Sequence, residues 1–120
     1  MKHNLHTVNK RFLMLITACI LTLNGMALDF EINGLVYKTT AEKEVSVGGN
    51  PKNCRGDITV PETVTYEDIT YTVTSIPQSG FDSCVHLTSI VLPKNITNIE
   101  SSAFYDCSSL ISIDLPEKLE

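Results

Sequence analysis

Residues Val73–Asn95 read VTSIPQSGFDSCVHLTSIVLPKN, and residues Ile96–Lys118 read ITNIESSAFYDCSSLISIDLPEK. The two stretches are each 23 residues long, align without a gap and share ten identical positions. These are Thr74/Thr97, Ile76/Ile99, Ser79/Ser102, Phe81/Phe104, Cys84/Cys107, Leu87/Leu110, Ser89/Ser112, Ile90/Ile113, Leu92/Leu115 and Pro93/Pro116. Most are apolar anchors or turn residues. One such unit cannot bury its apolar side alone, but stacked copies bring the same residue type to the same height and build a continuous core. The period therefore predicts a solenoid.

Within each unit, Leu87-x-x-Ile90-x-Leu92 and Leu110-x-x-Ile113-x-Leu115 have the form of a short strand. Side chains alternate across a strand, so Ile90 and Leu92 are expected to face the core, with Ser89 and Val91 facing solvent. The next unit sets Ser112 and Asp114 beside them. Pro93 and Pro116, which cannot donate to a ladder, end the strands. Val73–Ile76 and Ile96–Ile99 alternate as well and predict a second short strand per coil, while Phe81 and Phe104 are expected to fill the wide end of the core.

The pattern I-x-x-I-x-x-x-A/G-F-x-x-C-x-x-L-x-S-I-x-L-P, carried by both units with Val73 at the first position of the first, resembles the BspA-like, treponemal-type class of bacterial leucine-rich repeats found in bacterial surface proteins. The resemblance implies a mainly β leucine-rich-repeat solenoid and a non-catalytic role in protein binding or adhesion. It covers Gly56 to Glu120 well and Leu28 to Arg55 loosely.

Upstream, Ile58-x-Val60-Pro61 echoes Ile90-x-Leu92-Pro93 at an offset of 32 rather than 23. That longer offset accommodates an inserted hairpin turning near Tyr66-Glu67-Asp68. Phe30 and Ile32 alternate before Asn33-Gly34 and Leu35 and Tyr37 after it, a hairpin signal, and Val45 and Val47 suggest a further strand before Gly48-Gly49-Asn50-Pro51. The expected division is a signal peptide over 1–27, an antiparallel β cap over 28–57 and a solenoid over 58–120, with 58–72 a degenerate first unit. Repeat folds need about three units for stability and shielded ends. Two full coils with an open last edge therefore favour a fragment of a longer array, or self-association through that C-terminal edge.

Lys2, Lys10 and Arg11 precede an apolar run from Phe12 to Leu23, and Asn24-Gly25-Met26-Ala27 offers small residues for cleavage. This is the form of a secretory signal helix. Its apolar stretch is shorter than the roughly 20 residues needed to cross a bilayer, so no stable membrane span is expected after cleavage. Ile16-Thr17-Ala18-Cys19 resembles a lipobox, which would anchor the chain at Cys19; the five apolar residues before Thr17 are few for that class, and cleavage after Ala27 is preferred. The expected location is secreted or at the cell surface. Six basic and 14 acidic residues follow Ala27, a net charge of −8, which disfavours nucleic acid and anionic membranes as partners.

The search for chemistry is negative. His86 is the only histidine after Ala27 and aligns with Ser109, the mark of a surface position and not of a base. Cys84 and Cys107 would stack about 4.8 Å apart, either as a ladder of reduced thiols or as a disulfide, with the repeat itself favouring the ladder. Cys54 sits in a loop, buried or free to react. Glu67-Asp68 is a solvated turn, and Gly48-Gly49 lacks the lysine and helix of a phosphate loop. No catalytic residue, metal or cofactor is expected. The expected partner is a protein or glycan, met by the face carrying Ser89, Val91, Ser112 and Asp114; the alternative is a structural cap, spacer or truncated fragment with no activity of its own.

Overall fold

The computed structural model describes residues 28–117 and 119, so the signal-peptide and Cys19 expectations lie outside the described residues. Strands β1 (Asp29–Ile32) and β2 (Leu35–Ala41) form the expected hairpin. Its two-residue turn has Asn33 at φ 52° and Gly34 at φ 83°. Left-handed φ at both positions is the turn whose twist matches paired strands, which is why Asn-Gly marks it.

β3 (Glu44–Gly49) pairs antiparallel with β2 on one side and parallel with β6 (Ile69–Ile76) on the other. β6 pairs in parallel with β8 (Asn98–Ile99) and antiparallel with β5 (Thr63–Tyr66). The second sheet is wholly parallel: β4 (Arg55–Thr59), β7 (His86–Val91) and β9 (Ser112–Asp114), in that order. The described residues contain strands and no helix. The fold is the solenoid anticipated from the period, mainly β and of the leucine-rich-repeat form that the resemblance implies.

One boundary moves. β4 crosses residue 57, drawn as the end of the cap, and β3 and β4 together already occupy both strand positions of a coil. The physical reason is a short return: the loop between β3 and β4 holds only residues 50–54, against residues 77–85 between β6 and β7. No 23-residue period is left there to read. Asn50 closes the short loop, its carbonyl accepting from the N–H groups of Asn53 and Cys54 and its side chain from that of Lys52.

The core runs between the two sheets. Val45 pairs with Val73, and both are fully buried. Ile90 and Leu92 face inward as expected, and Phe81 stacks on Phe104 with ring centroids 5.4 Å apart. Each buried side chain of this size contributes about 1.5–3 kcal/mol. The longer return loop continues the stacking without being a strand: the N–H groups of Ser79, Phe81 and Ser83 donate to the carbonyls of Ser101, Ala103 and Tyr105 in the next coil. The first sheet curls until its edges meet, and the Phe30 ring of β1 lies 4.3 Å from the Tyr66 ring of β5 at 4°. This closes the N-terminal end of the core with Phe30, Tyr37 and Tyr71.

The expected inserted hairpin is β5–β6, turning through Glu67 at φ 51° and Asp68 at φ 67°. Cys54, read from sequence as a loop cysteine, is buried with Cys84 in line with Cys107; all three are free thiols.

Candidate functional site

The parallel sheet sets its outward residues in rows. Asp57 pairs with Ser89 and Ser89 with Ser112; Thr59 pairs with Val91 and Val91 with Asp114. Between them runs the row Ile58, Ile90, Ile113, of which Ile90 is buried in the core, Ile58 is half-buried and Ile113 is exposed. All four residues expected on this face are brought together in two adjacent strands. Val91, Ser112 and Asp114 are exposed, and Ser89 is half-buried beneath its own hydrogen bond.

That bond joins two coils. The Ser89 hydroxyl donates to Asp57 Oδ1 at 2.7 Å, and the Thr88 hydroxyl donates to the same oxygen at 2.9 Å. The Ser89 bond, then the Thr88 bond, hold the Asp57 carboxyl below its ordinary range. A register shift between Gly56 and Asp57 lets both hydroxyls reach one carboxylate. Donors that favour the charged form fix a negative charge at one end of the strip.

Asp57, Thr59 and Thr88 are missing from the sequence-derived face. The signal for the first two is the offset of 32 that aligns Ile58 with Ile90, which also aligns Asp57 with Ser89 and Thr59 with Val91. Thr88 joins only through the register shift, which leaves no sequence mark. Three strands widen the strip from the two expected to about 15 Å across.

His86 is exposed at the start of β7, with no carboxylate bonded to it among the described residues. The three thiols lie in the core: burial pushes the Cys84 thiol up to about 12 and raises Cys54 and Cys107. Cys107 donates to the Phe81 carbonyl at 3.1 Å. Among the described residues no group of three or more His, Cys, Asp or Glu is placed to hold a metal ion. Nor do the described residues include a helix long and apolar enough to cross a membrane.

A leucine-rich repeat protein from Bacteroides ovatus is similar in structure, with a TM-score of 0.66 and 31% identity over 78% of this chain and 25% of its own. One from Bacteroides capillosus shares the fold, with a TM-score of 0.68 at 21% identity over 76% of this chain and 67% of its own. A leucine-rich cell surface protein from Faecalibacterium prausnitzii aligns with a TM-score of 0.64 and 25% identity, over 76% of this chain and 24% of its own. The chain thus spans about a quarter of the length of the first and third of these proteins. Comparison with curated proteins finds no match. The family model described as BspA type leucine-rich repeat region (6 copies) matches residues 58–120, more than half of the chain. With its period, its parallel sheet and this match, the chain belongs to the BspA-type leucine-rich repeat family.

Proposed function

We propose that the chain is a non-catalytic recognition module, secreted or held at the cell surface, that binds a protein or glycan through the outer face of its parallel sheet. The observation that carries this reading is the pair of outward rows, Asp57–Ser89–Ser112 and Thr59–Val91–Asp114, laid side by side by the backbone ladder. Hydroxyls, two carboxylates and one apolar side chain on a rigid sheet suit polar recognition at low ordering cost. A strip about 15 Å wide is small beside a standard interface of roughly 800 Å² per partner. Affinity therefore accumulates over further coils or over several copies. Export is supported by the charge and apolar pattern of residues 1–27, and surface location by the description of the Faecalibacterium relative.

The test replaces Ser89, Val91, Ser112 and Asp114 together by alanine. Binding of the purified chain to host cells, extracellular matrix and a glycan array is then compared with that of the unaltered chain. Substitutions of the exposed Val91, Ser112 and Asp114 cost about 0.5 kcal/mol each or less, and loss of the Ser89 bond to the charged Asp57 costs more, so circular dichroism checks that the variant folds. A drop in binding of tenfold or more is the expected result. Unchanged binding by a folded variant overturns the face and leaves the cap or spacer role.

A further inference from the structure

The parallel sheet has a second feature, at the edge of β4 away from β7. The Val60 N–H donates to the Val91 carbonyl at 2.9 Å. N–H and C=O of one residue point to the same edge of a strand and alternate along it, so Ile58 and Val60 face β7 while Asp57 and Thr59 face the other way. Neither the N–H nor the C=O of Asp57 or Thr59 has a backbone partner there among the described residues. These four groups border an open groove of about 610 Å³, walled by the Asn33-Gly34 turn on one side and by Thr63–Thr65 of β5 on the other. That volume falls in the range of ligand sites, about 300–1,000 Å³.

The groove has an apolar floor and a cation. Ile58 is half-buried where its row mate Ile90 is fully buried, and Val64 lies beside it. Arg55 lines the groove and makes no ion pair among the described residues, whereas the Asp57 carboxylate is occupied by Ser89 and Thr88. We propose that this groove binds an extended peptide as an added strand on β4, with an aliphatic side chain over Ile58 and an acidic residue on Arg55. A strand is the occupant because alternating N–H and C=O groups are answered by another backbone, the basis of recognition by strand addition.

The probe is a fluorescein-labelled octapeptide of alternating valine and threonine with one glutamate, blocked at both ends, titrated with the purified chain by fluorescence anisotropy. Saturable binding is expected, weakened tenfold or more by Arg55→Glu and by Thr59→Pro. Proline is tolerated on an edge strand whose N–H faces outward, so β4 keeps its pairing with β7. Thr59→Val keeps the N–H and retains binding. Of two peptides N-methylated at alternate residues in opposite frames, which need no altered protein, the one whose methyls fall on the paired edge binds tenfold or more weakly and the other retains binding. Lack of binding to the unaltered chain at millimolar peptide overturns the proposal. So does binding that survives N-methylation in both frames, or that responds to Arg55→Glu alone.

Discussion

Close approach between coils is decided by single residues. A Cβ built on Gly49 would lie 2.7 Å from Phe81 Cδ1, 2.9 Å from Cys54 Sγ and 3.0 Å from Cys84 Sγ. The glycine is therefore required by packing; the Gly48-Gly49 pair has this structural role in place of the phosphate loop it superficially resembles. Gly49→Ala should destabilise by about 1–3 kcal/mol, the cost of overpacking a filled core, read as a lower denaturant midpoint at unchanged slope. The thiols at the same spot give a pH signature. The Cys84 pKa rises in the fold from an ordinary 9.0 to about 12, because burial opposes the thiolate. Its contribution to stability is whole below the unfolded value and is lost as pH rises toward the folded one. Unfolding midpoints should fall between pH 9 and 12, and fall less in Cys84→Ala. At pH 8 a disulfide reagent should label Cys54 and Cys84 slowly in the folded chain and at once in denaturant, and equal rates would contradict their burial.

At the level of elements, two hairpins use one turn geometry with different residues. Asn33-Gly34 suits left-handed φ, while Glu67-Asp68 adopts φ of 51° and 67° against its preference. Replacing Glu67 and Asp68 by Asn and Gly should stabilise by about 1 kcal/mol and raise Tm by about 4–8 °C, measured by calorimetry. A lower Tm would mean that Glu67 or Asp68 makes a compensating contact. The same contrast marks what is legible in the sequence. Asn33-Gly34 announces its hairpin by local chemistry, and β7 and β9 announce their stacking by an unbroken period, which also places Ser89, Val91, Ser112 and Asp114 on one face. The coil made by β3 and β4 does not announce itself, because its five-residue return erases the period and parallel pairing of Val45 with Val73 leaves no local trace. Cys54 is hidden likewise, standing 30 residues before Cys84 where the repeat predicts 23. Asp57 and Thr59 stand outside the 23-residue period that marks the face they share with Ser89 and Val91.

For the whole molecule, the two ends of the described core differ. The N-terminal end is covered by β1, β2 and stacked aromatic rings, whereas β9 pairs only with β7 and leaves Ile111 86%, Ile113 37% and Leu115 51% exposed. Their counterparts one coil earlier include Ile90 at 1% and Leu92 at 6%. Each of these apolar side chains gains about 25 cal/mol per Å² on burial, so covering this face is favourable. In a purified chain of these 120 residues, two copies are expected to associate here, the free edges of β9 pairing across a two-fold axis so that each covers the other's apolar residues. Association works against repulsion between acidic chains, so salt should strengthen it as screening shortens the reach of charge to about 8 Å at physiological ionic strength. Sedimentation velocity over a concentration series should show a dimer that grows from low to high salt, and Ile113→Lys with Leu115→Lys should return the chain to monomer. A monomer at every concentration and salt, or a dimer indifferent to both lysines, would place the contact elsewhere or remove it.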